Sequence, residues 1–169
     1  MAIRLVILDC DRTLWEHEDV LTLQAPFTRI DEQTVQDARG EQVRLARGAR
    51  ELLDALRERG ILISVCSWNR ADLVFAIFDL LGLTPYFVHP KVEFHPHKDR
   101  MIAALLAELA REGTVLRAEE VLFVDDNPMM LEMVRQGVGP VRTLRAQIDV
   151  LDLRDVLKYL DQPEPTEPT

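Results

Sequence analysis

Cysteine is scarce in this chain. Only Cys10 and Cys66 occur in 169 residues, each inside an apolar segment that reads as a strand. Two isolated cysteines make no disulfide framework, and a reducing compartment is the simplest reading. Long apolar runs are lacking as well. No stretch approaches the roughly 20 residues of a membrane span, and the opening MAIRLVILDCD has neither the length nor the cleavage signal of a secretory leader. A cytoplasmic protein with no membrane partner is expected. Positive charge is in deficit, with 20 Lys and Arg against 29 Asp and Glu and a formal charge of -9. Such a surface repels nucleic acid and anionic lipid, so no nucleic-acid partner is expected. Any site that binds phosphate must then be made cationic locally, by a metal, a lysine or helix N-termini.

What the chain does have is enough apolar material, 47% of its residues, for one globular core. Residues 3–8 (IRLVIL), 61–67 (ILISVCS) and 121–126 (VLFVDD) are continuous apolar runs, as strands buried on both faces require. Shorter strands are predicted at 86–89 (YFVH) and 141–144 (VRTL). Helices are predicted over 48–59, 71–82, 98–113, 128–137 and 149–160. The first places Leu52, Leu53 and Leu56 on one face, and Gly60, Gly82, Gly113 and Gly137 supply helix stops. Residues 16–47 are polar with little helical periodicity. There PFTRI and QVRLA flank DARG, a plausible turn, which reads as a small antiparallel β-flap. The alternation predicts an α/β fold, a doubly wound, Rossmann-like, mainly parallel sheet with right-handed crossovers. Residues 1–161 read as one domain carrying the flap after the first strand. The tail QPEPTEPT, 162–169, reads as disordered.

Ligands of open parallel sheets bind beyond the carboxyl ends of the strands. There the chain delivers Asp9-Cys10-Asp11-Arg12-Thr13, then Ser67-Trp68-Asn69, then Pro90, Lys91 and Lys98, then Asp125-Asp126-Asn127. Several carboxylates cannot stay ionised side by side without a cation. A hard divalent ion with oxygen ligands answers that need, and Mg²⁺ suits one or two carboxylates, waters and a phosphate. A carboxylate nucleophile and phosphoryl transfer are compatible with such a site.

The segment VILDCDRTLW resembles the first motif of the haloacid dehalogenase superfamily, Asp-x-Asp-x-Thr after an apolar strand. LISVCS resembles the second motif, Lys98 at a helix start the third, and VLFVDDN the acidic fourth. Leu-Trp after the Thr, SWN after the second strand and the small flap look most like its magnesium-dependent phosphatase family. The resemblance implies a Mg²⁺-dependent phosphomonoester hydrolase with an aspartyl-phosphate intermediate. Asp9 would be nucleophile and metal ligand. Asp11 would be general acid and then base, its backbone carbonyl facing the metal. Ser67 would bind phosphoryl oxygens, with the backbone N–H of Cys10 or Trp68 nearby. Lys98 would bind Asp9 and phosphate. Asp126 would be the main further metal ligand, with Asp125 secondary. Lys91 competes with Lys98 for the third motif, and Lys98 is favoured because it opens a helix. Family members often carry a polar residue where this chain has Met130, with Asn127 as a possible substitute.

Plainer roles stand beside these. Asp9, Asp11 and Thr13 suit a turn, Asp125 through Pro128 suit a helix cap, and Ser67 suits a strand end. Their joint occurrence in order favours a site. His89, His95 and His97 resemble a metal loop, but a zinc site needs more ligands than are evident. A loop at the mouth of the site, touching substrate, is the reading preferred. Trp15 and Trp68 suit pocket wall and core equally. The substrate expected is a phosphoprotein side chain or a phosphosugar, and the protein is read as a monomer. The rival functions are a catalytically silent phosphate-binding module, an acyl-transfer or loading module of the same superfamily, and a phosphate-sensing receiver.

Overall fold

The computed structural model describes residues 2–161. The segment 162–169, expected to be disordered, lies outside them. Strand β1 (Leu5–Leu8) occupies the centre of a five-stranded sheet. β5 (Leu62–Trp68) and then β6 (Lys91–Glu93) lie to one side, and β7 (Val121–Asp125) and then β8 (Arg142–Arg145) to the other. Every pair in this sheet is parallel. The register is regular, with Leu8 facing Val65 on one side and Val124 on the other. All carboxyl ends therefore meet along one edge.

Successive β1 side chains point to opposite faces, and each face needs a cover. Val6 and Leu8 pack with Leu52, Leu53 and Leu56 of α1 (Ala49–Glu58) and Val74, Ile77 and Phe78 of α2 (Ala71–Leu81). Leu5 and Ile7 pack with Met101, Ile102 and Leu105 of α3 (Lys98–Arg111) and Leu131 and Val134 of α4 (Pro128–Val138). This is the doubly wound α/β arrangement expected.

Four local expectations need correcting. YFVH at 86–89 is not a strand: Thr84–Tyr86 form a 3-10 turn, and the edge strand is Lys91–Glu93. Only Val92 of that strand is buried, too little apolar character to register as a run. The last segment is a helix as expected, but it is of the 3-10 type and spans only Leu153–Tyr159 rather than 149–160. Gly137 does not end α4, which continues to Val138. A Cβ at Gly137 would lie 2.6 Å from Asp99 Oδ2, so its role is the close approach of α4 to α3. In the flap, PFTRI does not pair with QVRLA. The intervening β3 (Thr34–Gln36) pairs with both β2 (Thr28–Arg29) and β4 (Gln42–Arg44) in a three-stranded antiparallel sheet.

Asp37 pins that small sheet. Its Oδ2 accepts from the backbone N–H of Gln24, and its Oδ1 accepts from those of Arg39 and Glu41, each at 2.9 Å. These bonds hold the Asp37 carboxyl below the usual range. The guanidinium of Arg50 ties the flap to the core, bonding the carbonyls of Glu32 and Leu81.

Candidate active site

β1 runs into Asp9 without a break in sheet bonding, because the Asp9 N–H donates to Val124 O at 2.9 Å. The chain then turns sharply, with Arg12 at φ 59°, a left-handed conformation uncommon for a residue with a Cβ. The turn is held by Thr13, Leu14 and Trp15 N–H groups donating to Cys10 O. Asp9 thus stands at the sheet edge while the Cys10 side chain goes down into the core, where burial pushes its thiol up. Thr13 is buried, and its hydroxyl has no hydrogen-bond partner among the described residues.

Lys98 reaches the same point from the first residue of α3. Its Nζ donates to Asp9 Oδ1 at 2.8 Å and to Asp125 Oδ2 at 2.6 Å. All three side chains are buried. Burial disfavours every charge here, and the ion pairs oppose it. Burial drives Asp9 well above the ordinary carboxylate range, Lys98 pulls it back, and Asp125 raises it further. Asp125 is raised by burial too, against the pull of Lys98. Burial lowers Lys98, but Asp9 and Asp125 outweigh it and leave the ammonium firmly protonated.

Oxygens of Asp9, Asp125 and Asp126 lie within 4.8 Å of one another. Three carboxylates against one ammonium leave an excess of negative charge. The donor set is all oxygen and hard, so it fits a divalent cation such as Mg²⁺ better than a soft metal. Asp125 also shapes the start of α4, accepting from Asn127 N at 2.9 Å, while the Asn127 side chain caps Met129 N at 2.9 Å. The same short motif thus both caps α4 and brings Asp125 and Asp126 into the carboxylate cluster.

A cleft of about 420 Å³ opens over this cluster. Asp9, Asp11, Ser67, Trp68, Lys98, Asp125 and Asp126 all line it, as do Asn127 and Met130. The turn after β1 adds Arg12 and the flap insert adds Glu18 and Asp19, with Arg12 paired to Glu18 at 3.0 Å. The two tryptophans divide. Trp68 stands 46% exposed on the wall, whereas Trp15 is fully buried against Phe78.

Asp11 lies outside the carboxylate cluster, and its side chain is held instead by Trp15, Val20 and Asn69. Burial raises its carboxyl, although the Trp15 and Val20 donors oppose the shift. Nothing in the local sequence assigns Asn69 a role, since its partner Asp11 is remote in the chain. The only available signal was an amide directly after the Ser67-Trp68 strand end.

Lys91 and the histidines lie elsewhere. Lys91 Nζ bonds Glu108 Oε1 at 2.5 Å. His89 is placed between Glu108, 3.1 Å from Nδ1, and Glu112 at Nε2. His95 Nε2 meets Glu93 at 3.3 Å, and its ring lies near that of His97. None of the three lines the cleft, although His97 directly precedes Lys98, which does.

The acid phosphatase family model matches residues 2–141. The human protein magnesium-dependent phosphatase 1 is 30% identical over 90 residues, 53% of this chain and 51% of that protein. The chain thus spans about half the length of this curated relative. Among solved structures, a HAD-superfamily hydrolase from Ehrlichia chaffeensis superposes with a TM-score of 0.63 at 15% identity, over 95% of this chain and 97% of that one. The N-terminal part of a Bacteroides fragilis protein, containing a phosphatase domain and complexed with Mg, gives a TM-score of 0.58 at 23% identity. It covers 94% of this chain and 39% of its own. At these identities the two structures speak for a shared fold, that of the superfamily whose motifs the sequence resembles.

Proposed function

The chain belongs to the acid phosphatase family, and from that premise we propose that it is a Mg²⁺-dependent phosphomonoester hydrolase that uses Asp9 as nucleophile. The observation that carries this reading is Lys98, which bonds Asp9 and Asp125 in a buried cluster that also holds Asp126. Asp9, Asp126, Asp125 and the Asp11 carbonyl would hold Mg²⁺. When bound, the ion would neutralise carboxylate and phosphate charge.

Asp9 attacks phosphorus in line, and the ester oxygen leaves from the opposite side. Asp11 gives that oxygen its proton. The product of this step is an aspartyl-phosphate. Asp11, now a carboxylate, takes a proton from water, which attacks phosphorus and frees Asp9 and phosphate. Lys98, Ser67 and the backbone around Cys10 and Trp68 hold the phosphoryl oxygens, which is where most of the rate of phosphoryl transfer originates.

Among the described residues a small flap and no large cap stands beside the cleft, which suits a phosphate on a protein side chain or on a sugar. A cytoplasmic monomer completes the reading, and two free, buried cysteines support the reducing compartment. No helix of the described residues is long and apolar enough to cross a membrane.

Release of phosphate from 4-nitrophenyl phosphate tests the proposal. Mg²⁺-dependent turnover is expected, with a loss of at least about 10⁴-fold in Asp9→Asn, the scale of deleting a nucleophile. Full turnover by Asp9→Asn, or turnover indifferent to Mg²⁺ and EDTA, would overturn it.

A further inference from the structure

The two carboxylate oxygens of Asp11 have unlike surroundings. Oδ1 accepts from the Trp15 indole Nε1 at 2.8 Å and from the Val20 backbone N–H at 3.3 Å. Oδ2 accepts from Asn69 Nδ2 at 3.1 Å. A carboxylate oxygen offers about two in-plane lone-pair directions. Among the described residues Oδ1 therefore has both directions taken, and Oδ2 has one donor and one direction left.

Both side-chain donors are themselves fixed. Trp15 is fully buried, with its ring 5.8 Å from that of Phe78. Asn69 is also fully buried. Its side-chain oxygen accepts from Arg70 N at 3.1 Å, and its own N–H donates to Glu93 O at 3.0 Å. That pattern settles the amide orientation, because the oxygen is taken by a donor and the NH₂ must face Asp11. Neither residue lines the cleft.

Resting on the reading of Asp11 as the acid and base, we propose that Trp15 and Asn69 are positioning residues that assign its proton transfers to Oδ2. A proton on Oδ1 would displace the Trp15 or the Val20 bond. A proton on Oδ2 displaces neither and uses the open direction, while Asn69 stops the carboxylate from rotating. The proton passes from Oδ2 to the leaving oxygen, and the attacking water later returns one to the same atom. One donor comes from the turn after β1 and the other from the end of β5. The plane of the carboxylate is thus tied to two separate stretches of chain at the sheet edge.

The contribution of a general acid depends on the leaving group, and this separates positioning from structural support. The experiment compares kcat/KM for an alkyl phosphate, whose leaving oxygen needs a proton, with that for 2,4-dinitrophenyl phosphate, whose leaving group does not. Native protein, Asp11→Asn, Asn69→Leu and Trp15→Phe are measured, with a thermal unfolding curve for each. Trp15→Phe keeps a ring in the core and guards against misfolding of the Asn69 variant. Both positioning variants should lose roughly 10²-fold on the alkyl phosphate, the scale of a misplaced reacting group, and far less on the dinitrophenyl ester. Equal losses on the two substrates, or no loss on either, would overturn the inference. A native protein inactive on both, or Asp11→Asn with undiminished alkyl phosphate turnover, would overturn the reading of the site and this inference with it.

Discussion

Lys98 Nζ lies 2.6 Å from Asp125 Oδ2, and both side chains are shielded almost wholly from solvent. A buried charge with its partner removed is costly, about 3–5 kcal/mol when one side of a pair is deleted. Lys98→Met keeps the length of the side chain and loses the charge, leaving Asp9 and Asp125 to repel each other. Urea unfolding in EDTA should show a loss of about that size, and phosphate release should disappear. Unchanged stability would mean that the ammonium does not balance the two carboxylates.

Lys91 should behave otherwise. It is bound to Glu108 beside His89, away from the cleft. A partly exposed pair of this kind contributes about 0–1 kcal/mol. Lys91→Ala should keep kcat/KM within about twofold of native, since nothing it touches reaches the reacting phosphate. A loss of turnover comparable to that of Lys98→Met would reassign the third-motif lysine.

The contrast between these lysines shows what the sequence could disclose. β1, β5 and β7 are legible because a strand buried on both faces must be apolar throughout. The site is legible wherever a residue stands at the carboxyl end of such a strand or directly after it, as Asp9, Ser67 and Asp125 do. Lys98 and Lys91 flank one loop, and spacing separates them poorly. The structure separates them by the partner each meets, Asp9 or Glu108. β6 was misplaced because an edge strand of three residues with one buried side chain carries almost no pattern. The Asn69–Asp11 bond joins positions 58 apart, and no local signal encodes such a contact.

Asp126 is the partly exposed member of the carboxylate cluster. Its loss should weaken cation binding with little effect on the fold. Asp126→Asn removes one negative oxygen ligand, to which hard cations respond strongly. The Mg²⁺ concentration for half-maximal turnover should rise roughly tenfold or more, since even outer partners of metal ligands cost that much. Mg²⁺ should also raise the unfolding temperature of the native protein more than that of the variant, by ordinary linkage. A variant with native Mg²⁺ dependence would remove Asp126 from the ligand set.

Asp37 gives the flap a pH dependence that can be checked without any substrate. Its carboxyl accepts three backbone N–H bonds and is held below the ordinary carboxylate range, first by Gln24 N. A depressed folded-state value means that the unfolded chain binds the proton more readily. The stabilisation is then fully present above the unfolded value, about 4, and is lost as pH falls through the lower folded value. Asp37→Asn keeps the shape but loses the charge and one accepting oxygen. It should unfold at a lower temperature than native at pH 7, and amide exchange should quicken at Gln24, Arg39 and Glu41. The gap between the two proteins should narrow as pH drops below about 4, because the unfolded native chain then binds a proton at Asp37 that the folded carboxyl still resists. A gap that stays constant down to the acid limit would show that the loop is held by shape alone, with the negative charge of Asp37 contributing nothing to it.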